Sequence, residues 1–299
     1  MNASAPPQKV SVYIPAHNAG EFLERSIKGL LAQSLPPDEI LVIDDGSRDN
    51  SAEIAAAHKG VTLIRHPVNK GLAAARNTAM KAARNDFVAS IDADCIAHPD
   101  WLSLLARNMD DPKLAGVGGE LIEGVQETLA DRWRAVHLSQ QWGNLPLRNP
   151  LFLFGCNNLF RKSAVVEVGG YDERMRTNGE DTNLCARLRA KGWDLLYDPS
   201  ARAIHLRHDT IRSVLNAYWR WWRFGVNSYA NGARLRSVIG HALFVHFRYN
   251  FLQAAQKDFH SSRWSLLGFD FLLLGYLPYR DFCLWLDARS QRSQLTKGV

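Results

Sequence analysis

The sequence predicts an α/β fold in which a mostly parallel central sheet is flanked by helices and followed by a C-terminal helical extension. Two observations lead to this prediction. Short β-branched runs alternate with helical patterns through residues 10–109, and such spacing is typical of parallel strands joined by right-handed crossovers. From residue 210 onward, the pattern is that of amphipathic helices rich in Trp, Phe, Leu and Arg.

The alternation is regular enough to place each element. Val10, Val12 and Ile14 share one face of the first predicted strand, whereas Leu23 and Ile27 recur at helical spacing in the first predicted helix. The predicted strands cover residues 10–14, 40–43, 61–64 and 87–91, and the predicted helices cover 20–32, 51–58, 71–83, 99–109 and, later, 181–191. The pattern loosens at 116–124, where we expect a seam, and residues 150–205 mix short strands with the last of these helices.

The composition excludes several classes of protein. Apolar residues make up 46% of the 299 residues and charged residues 22%, which is typical of globular proteins and not of disordered, collagen-like or disulfide-scaffold chains. The four cysteines are too far apart in the sequence to suggest a zinc site or a disulfide framework. Uncharged apolar runs such as 271–279 are shorter than the roughly 18 residues typical of a membrane span. Residues 1–9 lack the apolar stretch of a secretory signal, so we expect a disordered N-terminus and a cytoplasmic location.

The net charge of +6 is unevenly distributed. Residues 200–299 contain 14 Lys and Arg against 5 Asp and Glu, and five of the nine tryptophans. A basic, aromatic surface suits an anionic partner, either a membrane surface or a nucleic acid. Ordinary packing of amphipathic helices explains most of these aromatic residues equally well.

Polar residues follow three of the predicted parallel strands, where the strands end at one edge of the sheet. Residues 15–18 follow the first strand, Asp44 and Asp45 end the second, and Asp92 and Asp94 follow the fourth. Ligands bind at this edge in open parallel sheets. If the fourth strand persists, Asp92 and Asp94 point to one side of it. Taken singly, each motif is explained equally well by a turn, a helix cap or a solvated loop.

Carboxylates repel an anionic ligand unless a cation lies between them. Oxygen-rich sites suit Mg²⁺ or Mn²⁺ shared with substrate phosphates. The sequence contains no glycine-rich phosphate loop, so we expect a divalent cation to neutralise most of the phosphate charge, assisted by Lys70 and Arg76. These residues indicate a nucleoside diphosphate site.

The ordered set of motifs resembles family 2 of the glycosyltransferases, which are inverting enzymes with the nucleotide-sugar-binding GT-A fold. The matching residues are Pro15-Ala16-His17-Asn18, Asp44-Asp45-Gly46-Ser47, Asn69-Lys70-Gly71 through Arg76-Asn77, Asp92-Ala93-Asp94, Gly169-Gly170-Tyr171-Asp172 and Glu180-Asp181. They occur in the order typical of the family, over residues 10–207. The resemblance implies transfer of a sugar from a nucleotide-sugar donor to a glycan or lipid-linked acceptor.

The resemblance also implies roles for individual residues. Those implied at the nucleotide are Pro15, His17 and Asp45 at the base and ribose, Asp44 beside them, Arg76 near the uracil or diphosphate, and Asp92 at the ribose or a metal-bound water. Those implied for metal binding and chemistry are Asp94 and His205 as metal ligands, Asp181 as catalytic base and Glu180 as an acceptor-orienting neighbour. His205 is equally compatible with an ordinary histidine, and Glu180-Asp181 with simple acidic enrichment of a first helical turn. Asn157 suggests a donor-sugar contact, which a turn explains equally well.

Asp181 suits the role of base because a carboxylate of ordinary pKa, about 3.9, is ionised at neutral pH.

Two departures from the family pattern matter. His17 replaces the usual tyrosine, and the signature of processive synthases is missing, which favours transfer of a single sugar. UDP is the expected nucleotide because it is the commonest in the family, and a histidine ligand favours Mn²⁺ over Mg²⁺.

The expected domain organisation follows from the resemblance. We expect residues 10–118 to form the nucleotide-binding half of the GT-A domain and residues 119–209 to form its acceptor-binding half. Residues 210–299 are expected to form a basic helical region that rests either on the core or on an anionic membrane. The alternative function is a non-catalytic nucleotide-sugar-binding scaffold. A sugar-phosphate nucleotidyltransferase would need a glycine- and arginine-rich N-terminal phosphate loop, which the sequence lacks. No nucleic acid partner is expected, because no recognised binding motif accompanies the basic region.

Overall fold

A computed structural model of the protein describes residues 9–175, 178–226, 240 and 242–297. The chain divides into two compact units. The first comprises Met1–Gly124 and Ser139–Arg207, and the second comprises Val125–Leu138 and His208–Val299. The expected disordered segment lies almost wholly outside the described residues, because these begin at residue 9.

The first unit is built on a nine-stranded mixed sheet. Its strands are β1 (Val10–Ala16), β2 (Glu39–Asp44), β3 (Val61–Arg65), β4 (Phe87–Ile91), β5 (Cys95–Ala97), β6 (Leu114–Glu123), β7 (Leu147–Arg148), β8 (Asn157–Arg161) and β9 (Asp194–His205). The order is β3-β2-β1-β4-β8-β6-β9-β5, with β7 paired to β9. Strands β1 to β4 pair in parallel, as predicted, while β8 is antiparallel to both β4 and β6.

Helices cover this sheet close to the predicted positions. They are α1 (Leu23–Leu31), α2 (Ser51–Ala57), α3 (Leu72–Ala82), α4 (Trp101–Arg107), α6 (Lys162–Glu167) and α7 (Glu180–Ala190), with a 3-10 turn at Asn108–Asp110. In α1, Leu23, Ile27 and Leu30 are fully buried, so the spacing read from the sequence is the face that packs on the sheet. Helix α3 buries small alanines, which allow it to lie close to β1 and β2.

The predicted seam at 116–124 falls within β6, a ten-residue strand between β8 and β9. The expected boundary at 118/119 therefore lies inside one strand. The glycines that loosen the pattern are explained by close approach, because a Cβ at Gly119 would lie 1.8 Å from the carbonyl oxygen of Ala201.

The second unit is helical. It contains α5 (Leu129–His137), α8 (Ile211–Arg220), α9 (Leu252–His260) and α10 (Trp264–Lys297), with π-helical segments at Trp221–Val226 and Ala242–Phe251. Capping boxes begin α5 at Thr128 and α8 at Thr210. Residues 125–138, expected in the acceptor-binding half at 119–209, belong to this unit. Trp133 of α5 is fully buried against Tyr218 and Phe269. Among the described residues, we find no helix whose length and hydropathy would let it traverse a bilayer.

Candidate active site

The ends of β1 and β2 are joined by a network of hydrogen bonds. Ala16 and Asp44 are register partners in the parallel pair, which brings the following loops together. Asn18 donates its backbone N–H to Ser47 Oγ and accepts from the amide of Arg48, at 2.9 Å each. His17 is exposed, with Nδ1 3.0 Å from the carbonyl oxygen of Asp45, whereas Pro15 is buried in the strand.

The two aspartates after β2 are buried and hold protein groups. Asp45 accepts backbone N–H groups from Lys70 at 2.9 Å and Gly71 at 2.8 Å, and His66 Nδ1 lies 2.7 Å from its Oδ1. Asp44 pairs with Arg65 at 2.9 Å and accepts the amide of Ser47. Asp45 fixes the loop before α3 and Asp44 fixes the turn at Ser47, and the contact of either with a nucleotide stays a prediction.

Arg76 connects five segments of the first unit. Its side chain is 1% exposed, because α3 directs it under the sheet edge. Nη1 donates to Ser90 Oγ and the Gly155 carbonyl oxygen, both at 2.7 Å, and to the Tyr13 hydroxyl at 3.3 Å. Nη2 donates to Asp92 at 3.2 Å, and Nε lies 3.5 Å from Glu180. A guanidinium so enclosed positions the acidic residues around it, and its place near the uracil or diphosphate, which the resemblance implied, stays a prediction.

Gly155 makes this arrangement sterically feasible. A Cβ at this position would lie 2.6 Å from Arg76 Nη2. The Gly155 amide also donates to Asp181 Oδ2 at 3.2 Å, so one residue contacts both the guanidinium and the expected base. A lone glycine in a loop gave no sign of this in the sequence.

Glu180 and Asp181 begin α7, as predicted, and burial raises the pKa of both. Burial, followed by the negative charge of Asp181, raises the pKa of Glu180 to about 7. Burial also raises the pKa of Asp181, opposed by hydrogen bonds from the amides of Thr182 and Gly155 and by the charge of Arg76. Asp181 is therefore a stronger base than the ordinary carboxylate we expected.

Asp92 and Asp94 lie in a turn after β4, which ends at Ile91, so the strand does not persist through them. The Cys95 amide donates to the Asp92 carbonyl oxygen at 3.0 Å, and the Leu206 amide to that of Asp94 at 2.8 Å. Burial raises the pKa of Asp92; the Arg76 charge opposes this increase, and the Asp94 charge adds to it. The two carboxylates are therefore close enough to influence each other.

His205 ends β9 between two carboxylates. Its Nε2 lies 3.2 Å from Asp94 Oδ2, and its Nδ1 lies 2.7 Å from Glu123 Oε2. Burial lowers the pKa of His205, but these two contacts outweigh it and raise the pKa to about 9. The hydrogen bond and charge of His205 likewise hold the pKa of Asp94 below its ordinary value, although burial opposes this.

This group fits a divalent metal ion. Ligand atoms of Asp94, Cys95 and His205 lie within 4.8 Å of one another, and the Asp94 side chain is 29% exposed, so it is open to solvent. Glu123 forms a hydrogen bond with His205 Nδ1, the ring nitrogen that does not face Asp94. This arrangement is typical of metal-binding histidines. Glu123 lies in the predicted seam, so its sequence position gave no sign of a role in this group. Its pairing with His205 in the β6–β9 ladder places it here.

Asn157 makes its hydrogen bonds within the protein, and the donor-sugar contact suggested by the sequence stays a prediction. It is fully buried. Its Oδ1 accepts from Trp101 Nε1 at 2.6 Å, and its Nδ2 donates to the carbonyl oxygens of Glu120 and Ala201 at 2.8 and 3.0 Å. The side-chain amide therefore joins β8 to α4, β6 and β9.

The fold is that of the GT-A glycosyltransferases. The mannosyltransferase PcManGT from Pyrobaculum calidifontis, solved with GDP-Man and Mn²⁺, superposes with a TM-score of 0.60 at 18% identity, over 96% of this chain and 89% of its own. S. aureus TarS 1-349, solved with UDP, superposes with a TM-score of 0.57 at 15% identity, over 96% of this chain and 92% of its own. The predicted fold is confirmed.

The sequence comparisons establish the family. The family model described as Glycosyl transferase family 2 matches residues 11–169, and the chain belongs to this family. The pre-mycofactocin glycosyltransferase of Mycobacterium tuberculosis is 35% identical over 211 residues, which is 68% of this chain and 44% of that protein. The poly-beta-1,6-N-acetyl-D-glucosamine synthase of Staphylococcus aureus is 28% identical over 225 residues, which is 72% of this chain and 54% of that protein. The chain spans about half the length of these curated relatives.

Proposed function

We propose that the protein is a metal-dependent inverting glycosyltransferase. It transfers one sugar from a nucleotide sugar, with UDP-sugars favoured, to a hydroxyl of a glycan or lipid-linked acceptor in cell-surface polysaccharide or glycolipid assembly. The observation that carries the proposal is the set of acidic groups around Arg76, in which Asp92 and Glu180 contact one guanidinium.

The residues suit a single displacement. The acceptor oxygen attacks the anomeric carbon, its proton passes to Asp181, and the carbon–oxygen bond to the diphosphate breaks with the electron pair leaving on the diphosphate. Asp181 is suited to this step because burial raises its pKa above the ordinary value, which makes the carboxylate a stronger proton acceptor. Glu180, with a pKa of about 7, is available to hydrogen-bond the acceptor, and Arg76 holds it in place.

Asp94 and His205 would hold the divalent cation, Mn²⁺ or Mg²⁺. When bound, the cation neutralises charge on the leaving diphosphate. The imidazole nitrogen favours Mn²⁺. Support comes from the Asp94–His205–Glu123 geometry and from the Mn²⁺ in the solved mannosyltransferase.

The test is an assay of nucleotide release with UDP-, GDP- and dTDP-sugars, each with Mn²⁺, Mg²⁺ or EDTA. We expect metal-dependent release of one nucleotide, slow with water as acceptor and faster with a suitable glycan or glycolipid. Nucleotide binding without release under any condition would favour the alternative function of a scaffold.

We further propose that α10 rests on an anionic membrane surface, which would bring the site to a lipid-linked acceptor. Trp264, Phe271 and Tyr279 are 59–61% exposed, and Phe282 and Leu286 are also exposed. At 100° per residue these side chains fall within about 100° of one helix face. All exposed residues from 264 to 286 are uncharged, while the chain from residue 200 onward carries an excess of nine positive charges. Aromatic anchors beside basic residues are typical of interfacial helices.

Flotation with vesicles containing anionic lipid tests this surface. We expect the protein to float at low salt, and the triple variant Trp264→Ser, Phe271→Ser, Tyr279→Ser to remain in the soluble fraction. The matched control replaces three exposed apolar residues of the first unit, Leu145, Leu151 and Val166, with serine, and we expect it to float. Flotation of both variants alike would contradict the assignment to α10.

A further inference from the structure

Three helices of the second unit bring together a second group of metal-ligating side chains, which shares no residue with the Asp94–His205 group. His137 ends α5, Asp258 lies in α9 and Asp270 lies in α10. One ligand atom from each lies within 4.8 Å of the other two. The His137 side chain is 5% exposed and both aspartates are fully buried, so the group is closed to water.

The contacts of this group leave carboxylate oxygens unused. His137 Nε2 lies 2.9 Å from Asp258 Oδ2, and Trp133 Nε1 donates to Asp270 Oδ1 at 2.8 Å. Asp270 Oδ2 and Asp258 Oδ1 are buried and lack a hydrogen-bond partner among the described residues. Arg263 Nη1 lies 3.6 Å from Asp258 Oδ1 and partly balances that charge. A buried carboxylate without a matching donor or cation is costly, by several kcal/mol for an ionised group.

The same unit contains an instructive counterpart. Trp219 Nε1 donates to Asp281 Oδ1 at 2.8 Å, and His246 Nε2 lies 2.9 Å from Asp281 Oδ2. Asp281 thus contacts both a tryptophan and a histidine. The group at His137 presents two aspartates to the same two kinds of side chain, Asp270 to Trp133 and Asp258 to His137.

We infer that His137, Asp258 and Asp270 bind a divalent transition metal ion, with Zn²⁺ the expected species. One imidazole nitrogen and two carboxylate oxygens are ligands that Zn²⁺ accepts, whereas Mg²⁺ and Ca²⁺ favour all-oxygen sites. Trp133 supports the geometry, because it stacks on the His137 ring at 4.6 Å and occupies Asp270 Oδ1, which leaves Oδ2 available. The ion would join helices that are 121 residues apart in the chain.

The experiment measures zinc in a background that lacks the other metal group. The Asp94→Ala variant is stripped with chelator, incubated with ZnCl₂, desalted and measured by plasma mass spectrometry. We expect about one zinc per chain and a rise in Tm of roughly 5 °C at saturating zinc. Co²⁺ in place of zinc should give visible absorption bands that free Co²⁺ at the same concentration lacks. Asp94→Ala that binds neither ion would overturn the inference.

Two added substitutions test the ligands. Asp270→Asn keeps an acceptor for Trp133, and His137→Phe keeps the ring stacking, so circular dichroism should show both variants folded. Each should lose the zinc, the cobalt bands and the Tm shift. Asp281→Asn in the counterpart group is the matched control and should keep all three. Retention of zinc by a folded Asp270→Asn or His137→Phe variant, or equal loss in Asp281→Asn, would show that these residues do not form the site.

Discussion

His205 Nε2 lies 3.2 Å from Asp94 Oδ2, although 111 residues separate the two in the chain. The contact exists because β5 and β9 are antiparallel, with Cys95 opposite His205. Cys95, the residue next to Asp94, is thereby paired with the last residue of the neighbouring strand β9.

From this pairing we predict that His205→Ala weakens Mn²⁺-dependent nucleotide binding at least tenfold, since loss of a ligand costs no less than loss of an outer partner. Titration calorimetry with UDP and GDP, with and without Mn²⁺, provides the measurement. His208→Ala is the control, because His208 is exposed and should behave as wild type. Equal effects of the two substitutions would argue against a metal role for His205.

Replacing Asp181 by Asn should lower sugar transfer by about 10²- to 10⁴-fold, because the acceptor proton loses its base. Nucleotide binding should be unchanged, since Asn keeps an oxygen for the amides of Gly155 or Thr182. The measurements are initial rates and calorimetric affinity. Glu53→Gln, an exposed acid in the first turn of α2, is the matched control and should leave both unchanged. Full activity of Asp181→Asn would exclude it as the base.

Arg76→Ala should lower the free energy of unfolding by about 3–5 kcal/mol, because it leaves buried carboxylates without their cation. Urea denaturation checks this value. Arg84→Ala removes an exposed arginine from its ion pair with Glu39, which keeps its hydrogen bonds from Ser11 and the residue 84 amide, and should cost less than about 1 kcal/mol. A cost for Arg76→Ala no larger than that for Arg84→Ala would mean that the buried guanidinium stabilises nothing.

The pKa of Glu180 predicts a pH dependence of stability. Its pKa of about 7 in the folded state exceeds the ordinary 4.5, so the folded protein binds more protons between these values. Its contribution to stability is therefore greatest below pH 4.5 and is lost as pH rises through about 7. Glu180→Gln should thus have a higher Tm relative to wild type at pH 8 than at pH 5. A Tm difference that is the same at both pH values would contradict the raised pKa.

Gly119→Ala should destabilise the protein by at least about 2 kcal/mol, because the added Cβ would overlap the carbonyl of Ala201 and force β6 and β9 apart. Gly268→Ala is the control. Gly268 lies in α10 with open space around it, so alanine there should be neutral or slightly stabilising. Thermal unfolding of the two variants would distinguish steric overlap from a general effect of alanine.

Local patterns predicted the parallel half of the sheet well, since apolar spacing and strand-end polarity both follow from the chain itself. The strands at 10–14, 40–43, 61–64 and 87–91 each lie within an observed strand. The mixed half was harder to predict, because β6, β8 and β9 are defined by pairing with distant segments. Glycines in β6 resembled a boundary, while the structure shows close approach of β8 at Gly116 and of β9 at Gly119.

The residues of the candidate site also divide into those that local sequence patterns predict and those that depend on contacts between distant segments. The acidic residues at strand ends could be found from the sequence, but the roles of Arg76, Asn157 and Glu123 depend on contacts between remote segments. Arg76 is enclosed by protein groups, Asn157 is saturated with hydrogen bonds, and Glu123 acquires its partner from the β6–β9 register. Composition and spacing carry no information on such burial.

Asp45 ties down the loop before α3 by accepting the amides of Lys70 and Gly71. The loop is therefore shaped when the chain folds, and a donor that binds beside it incurs no entropic penalty for ordering this segment. If a nucleotide binds at this rim, as proposed, its affinity should be governed by chemical fit and not by the ordering of a flap.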